Sequence, residues 1–178
     1  MFAYILILLA VITRVVPHPA WFNFTAVGGS LLYFGARRPL RQAIVPIALL
    51  AATDYFLTVY AYGYPFELGS YLVTWFWYGA VIVLGARMLK TRTSAGSLLG
   101  ASVLSATSFF AASNFAVWAG SAMYPHSISG LATCYVVGLP FYRNDLISTL
   151  LVATLAFGAS QIVSRLARTP SAGQPLAG

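Results

Sequence analysis

The sequence predicts an all-α integral membrane protein, a bundle of six transmembrane helices with both the N- and the C-terminus in the cytoplasm. Hydrophobic residues make up 60% of the 178 residues and charged residues only 7%, whereas a soluble domain carries about 25% charged residues. The apolar residues form runs long enough to cross a bilayer. We expect one six-helix transmembrane domain over residues 1–168. The small, proline-containing segment 169–178 is expected to be a disordered cytoplasmic tail.

Six apolar windows give the predicted helices in order. The first is expected to be an uncleaved span, because the N-terminus lacks the basic region and the small-residue cleavage site of a signal peptide. The first two windows are shorter than the about 20 residues of a perpendicular span. Either they extend into the loop between them, or that loop dips into the membrane. The windows cover residues 2–16, 22–36, 43–61, 70–89, 98–119 and 146–165.

The basic residues predict the orientation. Lys and Arg collect on cytoplasmic loops, and here they follow spans two, four and six. A topology with both termini in the cytoplasm places eight of the ten basic residues there as well. These eight are Arg37, Arg38, Arg41, Arg87, Lys90, Arg92, Arg165 and Arg168. Arg14 and Arg143 then lie on the outer side, and the acids Asp54, Glu67 and Asp145 lie in the outer half of the membrane or outside it. The expected location is the bacterial cytoplasmic membrane.

The run LATCYVVGLP precedes the last span and has only about ten apolar residues before Pro140 ends it. If it crossed the membrane, Arg165 and Arg168 would lie outside. We therefore interpret residues 131–142 as a re-entrant or interfacial segment in the long outer loop before the last helix. Arg143 and Asp145, at the predicted start of that helix, suit a local salt bridge, a helix cap or a position in a cavity among the helices, and for Asp145 the N-cap is favoured.

Small residues repeat along several predicted spans, where they allow helices to approach closely in lipid. Span two contains Gly29, Ser30 and Gly35, and span four contains Gly79 and Gly85. They favour packing inside the bundle, although such a face also suits a partner membrane protein. Most of the tryptophans and tyrosines near span ends are expected to be interfacial anchors, and the others to line a pocket.

Asp54 lies inside the third apolar run, where an ionised carboxylate needs a partner. Arg14, near the outer end of span one, is at a comparable depth, so an Arg14–Asp54 pair is the simplest arrangement. Three roles for such a pair remain open. They are fixing the register of the helices, contacting a ligand at the base of an outer cavity, and relaying protons.

Other polar residues fall at the outer ends of the spans. The amides of Asn23 and Asn114 suit either interhelical hydrogen bonds or contacts to a polar ligand. His18 and His126 suit backbone hydrogen bonds or ligand contacts, and their spacing with Cys134 matches no metal motif. Cys134 itself is expected to act as a small apolar residue.

Both histidines fall on predicted outer loops, which cover residues 15–22, 62–70 and 119–146. These loops suggest a lid over a pocket among the helices, with an aromatic wall and a few placed polar groups. The predicted ligand-binding residues are Arg14, His18, Asn23, Asp54, Asn114, His126 and Arg143.

The sequence contains no catalytic or cofactor motif. It lacks the HExxH, GxSxG and phosphate-loop patterns and any paired carboxylates at a useful spacing. We therefore expect neither an enzyme nor a cofactor or metal site. The formal charge of +7 does not indicate nucleic-acid binding, because the basic residues do not form one patch.

Two stretches together resemble a known family. They are PHPAWFNFTAVGGSLLYFGARR at 17–38 and SNFAVWAGSAMYPHSISGLATCYVVGLPFYRN at 113–144. They are similar to a family of bacterial membrane proteins catalogued only as a domain of unknown function. The likeness covers most of the chain, including Asp54, and implies no particular activity.

In size, span count and topology the chain also resembles the S components of energy-coupling-factor (ECF) transporters. That likeness implies a subunit that binds a small molecule at the outer face for uptake. It also implies an ECF coupling membrane protein and ABC-type ATPases as partners. Span one reads AYILILLAVIT and lacks the alanine-x-x-x-alanine pattern with which many S components dock. The alternatives are a structural or assembly protein of the cell envelope, a free-standing carrier or channel, and a membrane enzyme.

Overall fold

A computed structural model describes residues 1–16, 22–91 and 93–167 of the chain. The regular structure of these ranges is entirely helical, as predicted. The six helices are α1 (Phe2–Val15), α2 (Val27–Arg37), α3 (Ile44–Phe56), α4 (Leu68–Met88), α5 (Ala95–Gly120) and α6 (Ile128–Leu166). A 3₁₀ turn, Leu40–Gln42, precedes α3, and a π-helical segment, Leu57–Ala61, extends it. The predicted tail 169–178 lies outside the described residues.

Four helical stretches within the described ranges are long and apolar enough to cross a membrane. They are Leu40–Ala61, Tyr71–Met88, Ala95–Gly120 and Ile128–Leu166. Large apolar side chains on their outer surfaces are exposed, as expected where lipid takes the place of water. The chain is therefore a helical membrane protein. The six spans and their orientation remain predictions, because α1 has only 14 residues and α2 only 11.

Helix α2 forms the centre of the bundle. All residues from Val27 to Ala36 are buried, as expected for a helix that packs against neighbours on every side. Ser30 Oγ donates to the Leu6 carbonyl on α1 at 2.9 Å. Three residues further on, Tyr33 meets Phe157 of α6, with ring centroids 4.9 Å apart. This short helix therefore holds α1 and α6 in place.

The structure corrects the prediction for the outer loop before the last helix. Residues 131–142 lie within α6, a continuous helix of 39 residues with Pro140 in its interior. One proline removes one backbone hydrogen bond, a loss that membrane helices tolerate. At a rise of about 1.5 Å per residue, α6 is about 58 Å long. The predicted re-entrant segment and the last predicted span are thus one helix, and the connection from α5 is only residues 121–127.

Glycines on α2 and α4 let these two helices touch backbone to backbone. A Cβ added to Gly35 would clash with the Ile82 carbonyl, and one added to Gly85 would clash with the Leu32 carbonyl. The predicted small-residue packing is confirmed at these positions, since both glycines face the interior of the bundle.

The first prediction concerns this contact. Gly85→Ala should lower the free energy of unfolding by about 1–3 kcal/mol, because a methyl group there collides with backbone that cannot move aside. Gly79→Ala on the same helix is the matched control, since its nearest neighbour is Ile47 Cδ1 at 3.7 Å. That control should be neutral or stabilising by up to about 1 kcal/mol. Equal unfolding midpoints of the two variants in detergent would contradict the packing.

Candidate functional site

A buried ion pair joins the first and third helices. Arg14 Nη2 donates to Asp54 Oδ1, and the two side chains are 18% and 2% exposed. This confirms the pairing predicted from the sequence. The physical reason is that a lone charge in hydrocarbon is costly, whereas a hydrogen-bonded pair offsets much of that cost.

Helix α4 supplies two further donors to the same carboxylate. Trp75 Nε1 donates to Asp54 Oδ2 at 2.9 Å, and the Tyr78 hydroxyl donates to that oxygen at 3.2 Å. Arg14 Nη1 in turn donates to the Tyr78 oxygen at 3.1 Å. Asp54 therefore accepts from three side chains, which is the environment of an ionised carboxylate.

A cavity of about 200 Å³ lies beside this pair. It takes residues from all six helices and from the connection that precedes α2. Its lining residues are Arg14, Asn23, Thr25, Val27, Asp54, Tyr71, Thr74, Trp77, Tyr78, Phe109 and Asp145. Pockets for drug-sized ligands occupy about 300–1,000 Å³, so this cavity suits a smaller solute. Since each water occupies about 30 Å³, the cavity has room for about six waters.

Asp145 enters the cavity from α6. Its side chain is buried, with 6% exposed, and its Oδ2 has no hydrogen-bond partner among the described residues. The predicted N-cap role is wrong, because α6 begins 17 residues earlier, at Ile128. Ser127 is the cap, and its Oγ accepts from the Gly130 N–H at 3.2 Å.

The neighbouring amide fixes the chain that enters α2. Asn144 Nδ2 donates to the Phe22 carbonyl at 2.9 Å, and the Ala26 N–H donates to Thr13 Oγ1 on α1 at 3.0 Å. Between these two anchors Asn23 has a positive φ of 59°. Asparagine tolerates this left-handed conformation better than most residues. Asn23 is exposed and lines the cavity, so the cavity opens at this connection.

The second predicted asparagine lines a smaller space. A cavity of about 20 Å³ adjoins the main one and shares Asn23, Phe109 and Asp145 with it. Asn114 lines the smaller cavity, and its Nδ2 donates to Phe110 O of its own helix at 2.8 Å. Cys134 is buried, and its Sγ donates to the Asn114 carbonyl at 3.3 Å.

The remaining predicted residues lie elsewhere. Arg143 is exposed on α6 and is not among the cavity residues. His126 is exposed in the 121–127 connection, where its ring packs against Trp118 with centroids 5.7 Å apart. His18 lies outside the described residues. Over the ranges that the structure covers, no group of three or more His, Cys, Asp or Glu side chains is placed to hold a metal.

The sequence reasoning missed one face of α4 that lines or supports the site. Tyr71, Trp75 and Tyr78 follow at intervals of four and three residues, so they lie on one side of the helix. Tyr71 shares a hydrogen bond with Thr58, whose Oγ1 also bonds the Asp54 carbonyl at 2.8 Å. Thr58 belongs to the π-helical segment, a departure from regular helix that is frequent at functional sites. Trp77 is buried and lines the cavity, so it has the alternative role and is not an interfacial anchor.

The second prediction concerns the ion pair. Asp54→Leu should lower the free energy of unfolding by about 3 kcal/mol, because it leaves the Arg14 charge without its partner. Arg14→Met in the same chain should recover most of that loss. Glu67→Ala removes an exposed carboxylate and should change the stability by less than about 0.5 kcal/mol. A double variant no more stable than Asp54→Leu alone would show that the unpaired Arg14 charge is not the cause of the lost stability.

Comparison with known proteins gives one match. The family of unknown function DUF6580 matches residues 1–172. No curated protein and no solved structure matches the chain, so no match links it to ECF S components. The match includes both quoted stretches and every cavity residue, and it confirms the resemblance to a family without an assigned function. The chain belongs to the DUF6580 family.

Proposed function

We propose that this protein is a membrane-embedded binding protein for a small polar solute, acting in uptake from the outer face of a bacterial cytoplasmic membrane. One observation carries the proposal. A cavity of about 200 Å³ in an apolar helical bundle is lined by two carboxylates, one guanidinium and one amide. Ionisable residues within membrane helices mark solute and ion pathways, and small-molecule sites combine apolar walls with a few placed polar groups.

A purely structural role explains only part of this cavity. The Arg14–Asp54 pair, with Trp75 and Tyr78, is complete in itself and would fix the helices without an adjoining space. Asp145 adds nothing to that network, because its Oδ2 has no partner in the part of the chain that the structure describes. A buried carboxylate oxygen without a hydrogen bond costs free energy. A solute that supplies the missing donor would recover that cost.

The predicted orientation supports access from outside. It places Arg14 near the outer end of α1 and the Asn23 connection on the outer face. The connection is exposed and borders the cavity, so a solute arriving from that side meets the opening directly.

Uptake driven by ATP requires a partner, since the sequence contains no nucleotide-binding motif. The partner that this proposal implies is a coupling membrane protein with ABC-type ATPases, as in ECF transporters. The alternative is a structural or assembly protein of the envelope. It has less support, because the Gly35 and Gly85 faces that would suit a partner helix are used inside the bundle.

The third prediction tests solute binding. Thr74 lines the cavity, so Thr74→Phe should fill it with a ring and exclude the solute. Thr133→Phe is the matched control, because Thr133 is exposed and donates to Ser129 O of its own helix. Mass spectrometry of small molecules extracted from the purified protein should detect an enriched compound in the wild type and in Thr133→Phe. Thr74→Phe should reduce its amount at least about tenfold.

Two results would contradict this proposal. One is an absence of any enriched compound in the wild-type protein purified from its own host. The other is an equal amount in the two variants. Proteins that co-purify in gentle detergent test the uptake role separately. A coupling protein with ATPases in stoichiometric amounts supports it, and envelope-assembly proteins in their place favour the alternative.

A further inference from the structure

We propose that the solute is a small organic cation with a primary ammonium group, and that Asp145 binds this group. The inference rests on the proposed function, since it names the chemistry that the same cavity recognises. It follows from the charges that line the cavity, from the burial of Asp145 and from the aromatic residues around it.

The charges in the cavity do not balance. Its described lining contains one basic residue, Arg14, and two acids, Asp54 and Asp145. Arg14 is committed to Asp54 through a direct ion pair. Asp145 is therefore the cavity carboxylate that has no basic partner in the lining. When both acids are ionised, the site carries a net charge of −1.

Because Asp145 is buried, this unbalanced negative charge favours the binding of a cation. Asp145 is 6% exposed, and a carboxyl group at such a site is stable either ionised beside a positive charge or in its protonated, neutral form. Its free Oδ2 needs a donor. A primary ammonium group supplies the positive charge and the N–H together.

The rest of the lining fits an ammonium ion with a short organic body. Aromatic residues Tyr71, Trp77, Tyr78 and Phe109 surround the space, and aromatic rings attract organic cations. The volume of about 200 Å³ limits the size of that body. A divalent metal fits poorly, because it needs several hard oxygen ligands. The described residues offer no cluster of three acidic, His or Cys side chains.

Asp54 is unsuited to the same task. It already accepts from Arg14, Trp75 and Tyr78, so a ligand would have to displace one of these donors. The two carboxylates thus have different roles. Asp54 fixes the wall of the cavity, and Asp145 provides the free binding charge.

The fourth prediction tests the charge preference with matched probes. The full chain in lipid nanodiscs is titrated with alkylammonium ions of increasing length and with the alcohols of the same length. Thermal unfolding is the readout, because a ligand that binds the folded state raises the midpoint. For at least one chain length, the ammonium ion should raise the wild-type midpoint more than its alcohol does. Asp145→Asn, which keeps the shape and removes the charge, should weaken ammonium binding at least about tenfold.

Glu67→Gln is the matched control for the loss of a carboxylate, since Glu67 is exposed. It should bind the ammonium probes as the wild type does. Asp145→Glu keeps the charge and should retain the preference, which provides a second variant should Asp145→Asn fail to fold. Equal responses to ammonium and alcohol in the wild type would overturn the inference. So would a preference that survives in Asp145→Asn, since the charge of Asp145 would then not be what binds the ammonium group.

The outcomes separate this inference from the proposed function. If alcohols and ammonium ions bind equally and Thr74→Phe abolishes both, the cavity binds solutes but does not select cations. If no probe shifts the midpoint and no compound co-purifies with the wild type, both proposals fail.

Discussion

The Arg14–Asp54 ion pair is the interaction on which the other parts of the site depend. Each charge lies in an apolar helix, and neither is stable there alone. Their pairing joins α1 to α3, and the donors Trp75 and Tyr78 bring α4 to the same point. Three helices are thereby fixed at one level of the bundle. The carboxylate that anchors them also forms one wall of the cavity.

The cavity exists because two further helices approach this network without sealing it. Helix α2 packs closely against α4 through Gly35 and Gly85. The connection before α2 is tied to α6 by the bond from Asn144 to the Phe22 carbonyl. These contacts leave an opening near Asn23, with Asp145 facing the enclosed space. The polar residues of an otherwise apolar chain therefore meet at one site, contributed by helices that are far apart in sequence.

The sequence was informative where a single physical rule applied. Long apolar runs predicted the helices, and the cost of an isolated charge predicted the Arg14–Asp54 pair. It misled at Pro140, where the usual expectation that proline ends a helix favoured a cap role for Asp145 over the alternative position in the cavity. Residues on α4 were missed because an aromatic side chain at a membrane interface and one that supports a buried carboxylate look alike in sequence. The spacing of Tyr71, Trp75 and Tyr78 was the available signal.

The proposed binding site requires a water-accessible, net negative cavity beside the ion pair. Thiol modification tests it directly, with Thr25→Cys in a Cys134→Ala background, because Thr25 lines the cavity. Cationic and anionic methanethiosulfonates of similar size are compared in lipid nanodiscs, with exposed Thr133→Cys as the reference. In such a cavity Thr25→Cys reacts and, relative to Thr133→Cys, the cationic reagent modifies it faster than the anionic one. An unreactive thiol at position 25, or one without this charge preference, would contradict the proposed cavity.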